Sequence, residues 1–401
     1  MYLLATASFY ERDNRLVREE LLPNGSYGYK EYVSGRWVPY TDGVTVVHVG
    51  DRLDDAAAIS WVKQYWQQLG QVLTDEEVLI QIQPVSKQPR HILRAQQFDR
   101  QFLEQTLFPE AYRIHRMLNS AEGREQLRQE LRHRTIVTLF YEPSTRTRLS
   151  FELAAVHLGM HVITTENAKE FGSAIKGETE EDTIRVISSY RPDVVVIRHS
   201  DDRFVEKIAK YSAVPLINGG EGTTQHPTQA LLDLYTIHSE KRKIDGLTVV
   251  LGGDLKFGRT VRSLAYLLSK FQDVKLIFVS HESFRIPDGI KDHLRERKIA
   301  FRETDSVSSA LREADVVYWT RVQKERMDES LREQADRIQA QFTIGPLHLY
   351  EMKHDAILMH PLPRVGEIRQ AVDHDPRAAY FRQAENGLFV RGALLKHVLL
   401  E

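Results

Sequence analysis

Residues 135–159 read TIVTLFYEPSTRTRLSFELAAVHLG. The first seven, TIVTLFY, are apolar or β-branched, the composition of a buried strand. The run then stops, and Phe151, Ala154, Ala155 and Leu158 fall at helical spacing. The stretch therefore predicts strand, turn and helix in quick succession. Pro143 fits the approach to a helix first turn, where a missing N–H costs nothing. A helix start offers unpaired backbone N–H groups and the positive end of the dipole. Ser144, Thr145 and Thr147 add hydroxyls there, and Arg146 adds a planar fork suited to a pair of phosphate oxygens. The ligand this predicts is phosphate or an acyl phosphate. The competing reading is a capped surface helix on which Arg146 and Arg148 are simply solvated.

The same alternation continues outward. From about residue 96, strand-like runs (TIVTLFY, HVITT, DVVVIRH, VPLING) alternate with amphipathic segments (RLSFELAAVHLG, DTIRVISSY, TQALLDLYTIHSE). A second series starts at LTVVLGGD (247–254) and runs through VRSLAYLLSKF, VKLIFVS, ADVVYWT and AILMHPLP. This is the pattern of parallel sheets flanked by helices. The closing AAYFRQAENGLFVRGALLKHVLL predicts a terminal helix broken near Asn386-Gly387. Residues 1–95 differ. YLLATASFYE, KEYVSGRWVPY and EVLIQIQPV suggest strands, and DDAAAISWVKQYWQQLG a helix, giving a small α+β domain. The expected fold is α/β: two doubly wound parallel-sheet domains, 96–235 and 236–379, preceded by that extension. A C-terminal helix, 380–401, should pack back on the first of the two.

Composition narrows the function. Lys+Arg 54 against Asp+Glu 56 gives a net charge of −2, so no global field favours nucleic acid or an acidic membrane. Any anion site must be local. The absence of cysteine removes disulfides, thiol nucleophiles and cysteine-ligated zinc. The N-terminal MYLLATASFYERD carries no basic leader, and no apolar run approaches 18 residues. A cytoplasmic chain with no membrane span is expected.

In doubly wound folds ligands bind beyond the carboxyl ends of the strands. The segments in those places are YEPSTRTR, RHSDD, NGGEGTTQHP, GGDLKFGRT, WTRVQKER and HPLPRVGE. All are polar, basic or turn-forming. RHSDD puts Arg198 and His199 at a strand end. QHPTQ puts His226 and Gln229 at the opening of a helix, where His226 could donate to a developing oxyanion or merely cap the helix. GGDLKFGRT lacks G-x-G-x-x-G spacing and the later acidic residue that would meet a ribose, which disfavours a dinucleotide. Lys256, Arg259 and Thr260 there, with Arg321, Gln323 and Lys324 in WTRVQKER, make further cationic stations. One phosphate station facing two cationic ones fits a small substrate with more than one carboxylate. FGSAIKGETEEDT (171–183) has the small residues of a lid loop, with Lys176 in the middle. From the loop alone, a solvated lysine is the simpler reading.

Taken in order, STRTR, RH, HPTQALLDLYT, GRTVRSL, TRVQKER and HPLPR resemble the aspartate carbamoyltransferase family over roughly residues 96–401. STRTR alone marks the wider carbamoyltransferase group; HPTQ, TRVQKER and HPLPR together resemble the aspartate branch. The late cysteine and S-M-G element usual in the ornithine branch are absent. The resemblance implies carbamoyl transfer from carbamoyl phosphate to L-aspartate, a step of pyrimidine biosynthesis, with no cofactor and no metal. It implies that 96–235 binds carbamoyl phosphate and 236–379 binds aspartate. Ser144, Thr145, Arg146 and Thr147 would hold the phosphate. Thr147, Arg198 and His226 would face the carbamoyl oxygen. Gln229 and the main chain at Pro361 and Leu362 would receive the carbamoyl amide. Arg259, Thr260, Arg321 and Gln323 would bind the acceptor. Ser173 and Lys176 would come from the lid, with Lys176 reaching in from the neighbouring subunit of a trimer or a multiple of trimers.

Two positions depart from the family pattern: Gly172 where a serine is common, and Gly366 where an aspartate is usual. Residues 1–95 have no counterpart in a minimal catalytic chain; a regulatory domain, an assembly surface or a dock for a pathway partner such as dihydroorotase are the expectations. Three other functions remain open to the residues: another amino acceptor, a catalytically silent scaffold, and a nicotinamide-binding dehydrogenase.

Overall fold

The computed structural model describes residues 8–12, 15–21, 27–33, 36–39, 51–53, 91–168, 177–223, 225–327 and 329–400. The chain divides into two units, Met1–Gln88 and Pro89–Glu401.

In the first unit, β1 (Ser8–Arg12), β2 (Arg15–Leu21), β3 (Tyr27–Val33), β4 (Arg36–Pro39) and β5 (Asp51–Leu53) form one sheet. Its order is β4-β3-β2-β1-β5, and every pairing is antiparallel. KEYVSGRWVPY is not one strand, as the alternation predicted, but parts of two. Val33 pairs with Arg36 across a two-residue Ser-Gly link, the spacing of a tight hairpin. β2 was not anticipated, because RLVREEL carries four charges in seven residues. The predicted helix DDAAAISWVKQYWQQLG and strand EVLIQIQPV lie outside the described residues.

The second unit opens with α1 (Phe108–Leu118) and α2 (Ala121–Glu130). A first parallel sheet follows, built from β6 (Thr135–Phe140), β7 (His161–Glu166), β8 (Val194–His199) and β9 (Leu216–Glu221) in the order β7-β6-β8-β9. The helices between and after these strands are α3 (Thr145–His157), α4 (Glu180–Ser189), α5 (Phe204–Ala209) and α6 (Pro227–Lys241). All six residues of β8, VVVIRH, are buried, as a strand covered on both faces requires.

The second parallel sheet has the order β12-β11-β10-β13-β14. Its strands are β10 (Thr248–Gly252), β11 (Lys275–Val279), β12 (Ala300–Thr304), β13 (Val316–Trp319) and β14 (Ile357–Met359). Its helices are α7 (Arg259–Leu268), α8 (Asp288–Glu296), α9 (Val307–Glu313) and α10 (Glu329–Gln341). Sequence reading missed β12. AFRET is a half-exposed edge strand, and edges tolerate charge.

The chain ends in α11 (Tyr380–Leu400), which packs on α1, α3 and α6. It is continuous through Asn386-Gly387, where a break was predicted. Asn386 Nδ2 donates to Thr236 Oγ1 at 2.9 Å. A Cβ on Gly387 would lie 2.5 Å from Arg391 Nη1 and 3.3 Å from Leu232. The pair serves close packing rather than termination. One core runs through both sheets, joining Ile136, Phe151, Leu231, Leu264, Val249 and Leu394. The carboxyl ends of β6, β8, β9, β10, β13 and β14, with the turns and helix starts that follow them, carry the predicted site residues other than Ser173 and Lys176. Among the described residues, no helix is long and apolar enough to cross a membrane.

Candidate active site

The turn after β6 separates the two arginines of STRTR. Arg148 is occupied: its guanidinium meets Glu166 at 2.9 Å and Glu152 at 3.4 Å. Arg146 makes no ion pair among the described residues and stays exposed. Partial desolvation first, and the charge of Arg321 second, lower its pKa from the ordinary guanidinium range. Ser144 occupies the N-cap of α3, yet its hydroxyl caps nothing. Thr145 is exposed and Thr147 is buried at the same turn. Free hydroxyls, free N–H groups and an uncommitted guanidinium converge on one helix start.

Arg198 ends β8 and is 7% exposed. Its Nη2 lies 2.8 Å from Glu142 Oε2, and Nη1 donates to Gly219 O at 3.2 Å. His199 beside it is structural: its ring stacks on Phe204 at 3.6 Å, and Nδ1 accepts from the Asp201 N–H. His226 stands at the N-cap of α6, buried, with Nδ1 lacking any partner among the described residues. Burial, then Arg259, Arg198 and Arg391, drive its pKa well below the usual histidine value, so it is neutral near pH 7. Gly220 sits between these groups at φ +116°. A Cβ there would come within 2.5 Å of Arg198 Nη1 and 3.3 Å of His226 Nε2. Only glycine lets both side chains crowd the end of β9.

Gln229, on the first turn of α6, donates through Nε2 to Asp233 Oδ1 at 2.8 Å. Asp233 is fully buried and also accepts from Tyr318 Oη and Gln383 Nε2. Burial pushes its carboxyl up to about 7 against the pull of those donors.

The second sheet brings more cations. After β10, the buried Asp254 accepts the N–H of Phe257 and of Gln323, each at 3.0 Å. A carboxylate thus fills the turn where a dinucleotide phosphate would have needed free N–H groups. Arg259 opens α7. It donates to Gly222 O and lies 3.7 Å from Glu142 Oε2. Burial, then Arg198, lower it to about 9. Thr260 hydrogen-bonds Tyr318. Arg321 and Gln323 follow β13, and Arg326 stands close enough to depress both Arg198 and Arg259.

After β14, Leu362 N–H donates to His360 Nδ1 at 2.8 Å, and His360 Nε2 lies 2.7 Å from Glu367 Oε1. This buried pair holds the main chain at Pro361 and Leu362. Gly366 has φ +100°, a conformation that favours the glycine standing there. Ser173 and Lys176 lie outside the described residues.

Arg146, Arg198, Arg259, Arg321 and Arg326 therefore belong to one electrostatic cluster, in which Glu142 is the carboxylate paired with Arg198 and Arg259. Such a cluster suits a ligand with several negative charges. Sequence reasoning passed over Glu142, Arg326 and Asp233, although all three lie inside the motif segments themselves. A lone acid amid arginines was the available signal for Glu142.

Two family models cover this unit. Residues 90–239 match the carbamoyl-P binding domain, and 245–398 the Asp/Orn binding domain, of aspartate/ornithine carbamoyltransferases. The chain belongs to the aspartate/ornithine carbamoyltransferase family. Among its carbamoyltransferase relatives, the chloroplastic aspartate carbamoyltransferase of Arabidopsis thaliana is 49% identical over 309 residues, 77% of each chain. The aspartate carbamoyltransferase catalytic subunit of Chromobacterium violaceum is 43% identical over 78% of this chain and 98% of its own. A solved aspartate transcarbamoylase from Trypanosoma cruzi, in complex with carbamoyl phosphate and aspartate, superposes with a TM-score of 0.71. It is 37% identical and covered over 98% of its length, against 78% of this carbamoyltransferase chain.

Proposed function

We propose that this chain transfers the carbamoyl group of carbamoyl phosphate to the amine of L-aspartate, giving N-carbamoyl-L-aspartate and phosphate for pyrimidine synthesis. The observation that carries the reading is the five-arginine cluster drawn from the carboxyl ends of two parallel sheets, with Arg146 uncommitted at a helix start. The kinship to aspartate carbamoyltransferases supports the acceptor.

The reaction follows from the groups present. Residues 96–235 with helix 380–401 form the carbamoyl-phosphate domain, and 236–379 the aspartate domain. Ser144, Thr145, Arg146 and Thr147 bind the phosphate. Thr147, Arg198 and His226 stabilise the negative charge that grows on the carbamoyl oxygen as the amine attacks carbon; one such donor is worth roughly 3 kcal/mol. Gln229 and the carbonyls at Pro361 and Leu362 accept from the carbamoyl amide. Arg259, Thr260, Arg321 and Gln323 hold the acceptor carboxylates. The C–N bond forms, the C–O bond to phosphate breaks, and the leaving phosphate takes the amine proton. Much of the rate comes from holding the two reactants in register. Ser173 and Lys176 complete the site from the lid.

The active form is a trimer, or a multiple of trimers, in which Lys176 serves the neighbouring site. An exposed apolar stripe on α3 supports assembly there: Leu149, Leu153 and Val156 are 42%, 50% and 49% exposed, and Ile163 on the edge strand β7 is 57% exposed. Residues 1–95 are the docking or regulatory element, with dihydroorotase one partner that fits the chemistry. The cysteine-free composition supports a reducing, cytoplasmic setting.

Phosphate and ureido product are measured with carbamoyl phosphate plus L-aspartate, L-ornithine or no acceptor. Turnover with L-aspartate alone is expected; turnover with none would leave the scaffold reading standing.

A further inference from the structure

Gln229 has two chemically opposite ends, and the structure fixes which way round they lie. Nε2 donates to Asp233 Oδ1 at 2.8 Å. Asp233 is 0% exposed, so solvent supplies it no alternative partner. Its other contacts are donors too: Gln383 Nε2 at 2.6 Å on Oδ1 and Tyr318 Oη at 2.8 Å on Oδ2. Above its raised pKa of about 7, Asp233 is a carboxylate and offers only acceptors. Turning the Gln229 amide over would set its carbonyl oxygen against a carboxylate oxygen inside the protein. Gln229 Oε1 is therefore held away from Asp233 as a pure acceptor. The same carboxylate reaches a second acceptor. It fixes Gln383 Nε2, and Gln383 Oε1 in turn accepts the His360 N–H at 2.8 Å. That N–H opens the segment carrying Pro361 and Leu362.

We propose that Asp233 is the positioning residue that makes this site select a carbamoyl donor over an acyl donor. It orients the Gln229 acceptor directly, and through Gln383 it anchors the main-chain acceptors at Pro361 and Leu362. A carbamoyl group brings an NH2 that satisfies such acceptors. An acetyl group is nearly the same shape but brings a methyl that leaves them unpaired. A site built to pair a polar group rejects the analogue lacking it far more strongly than size alone would allow. The inference rests on the assignment of Gln229 to the carbamoyl amide.

The test compares binding of carbamoyl phosphate, acetyl phosphate and inorganic phosphate to the full chain at about pH 8.5, where Asp233 is ionised, by calorimetry on freshly dissolved ligand. Asp233→Asn lets Gln229 turn over, because asparagine can donate to it. The acetyl-to-carbamoyl ratio of dissociation constants is expected to fall at least tenfold, with phosphate affinity held within twofold. Gln229→Ala should lower the same ratio, and Asp233→Asn added to Gln229→Ala should lower it further only by the smaller share carried through Gln383 to the main chain at Pro361 and Leu362. An unchanged ratio in Asp233→Asn beside a lowered one in Gln229→Ala overturns the role of Asp233 alone. An unchanged ratio in Gln229→Ala overturns the assignment of Gln229 and this inference with it. If Asp233→Asn does not fold, Tyr318→Phe takes its place. It removes one donor from Oδ2 and should lower the ratio at least threefold; no change there overturns the proposal.

Discussion

Arg198 Nη2 lies 2.8 Å from Glu142 Oε2, and that same oxygen is 3.7 Å from Arg259 Nη2. One carboxylate on the first sheet thus binds a buried cation of its own sheet and one from the second. Removing it would leave both guanidiniums buried and facing one another, a worse state than losing a surface pair. Glu142→Ala is expected to raise KM for L-aspartate, lower kcat, and reduce stability by about 2–4 kcal/mol. Glu142→Gln keeps the shape and should fall between. Steady-state kinetics at varied aspartate, with urea unfolding alongside, check this. Unchanged kinetics in Glu142→Ala would remove Glu142 from the site.

The two arginines of STRTR should separate cleanly. Among the described residues Arg146 has no ion pair to lose, and it has Arg321 facing it. Arg146→Ala is expected to cost on the order of a hundredfold to a thousandfold in kcat/KM, with stability unchanged within about 0.5 kcal/mol. Arg148 ties α3 to β7 through Glu166 and pairs with Glu152 one turn along α3. Arg148→Ala should cost about 1–2 kcal/mol of stability and leave kcat/KM within tenfold. The reverse pattern in paired activity and unfolding assays would exchange their roles.

How much of this was legible depended on range. Strand ends are local, so Arg146, Arg198, Arg259 and Arg321 could be placed by finding each apolar run and reading the residues just beyond its carboxyl end. The pairing of Arg148 with Glu152 is also local, at i,i+4. β12 escaped because its five residues carry two charges at an edge. Asp233 escaped for a different reason. Its spacing from Gln229 was visible, but its meaning comes from Tyr318 and Gln383, which are 85 and 150 residues away. Gly387 looked like a breaker because sequence shows a missing side chain and not the Arg391 guanidinium that fills the space.

Gly220 and Gly246 allow a controlled comparison. Both have positive φ, +116° and +73°, so alanine strains either. A Cβ at Gly246 would meet no atom of the described residues within 4 Å, whereas a Cβ at Gly220 would meet Arg198 Nη1 at 2.5 Å. Gly246→Ala should cost roughly 1 kcal/mol of stability and no activity. Gly220→Ala should lose on the order of a hundredfold in kcat/KM while retaining native circular dichroism, because it displaces an oxyanion donor. Equal activities of the two variants would mean that the approach of Arg198 and His226 to the end of β9 is irrelevant to turnover.

Glu221, the last residue of β9, is 1% exposed and accepts the Val205 N–H at 2.9 Å. Burial raises its pKa from 4.5 to about 7, with the negative charges of Glu206 and Asp202 adding to the shift against the hydrogen bonds from Val205 and Asn218. Between about pH 4.5 and 7 the folded chain therefore keeps a proton that the unfolded chain has released. Stability contributed by this group is complete below pH 4.5 and is lost as the pH rises through 7. Glutamine has no such proton. Glu221→Gln should gain stability relative to the parent as the pH is raised from 5 to 8, by at most about 3 kcal/mol. Urea unfolding of both proteins at the two pH values reads this directly. A difference that stays constant, or that shrinks at pH 8, would mean that Glu221 is ionised in the fold throughout the range.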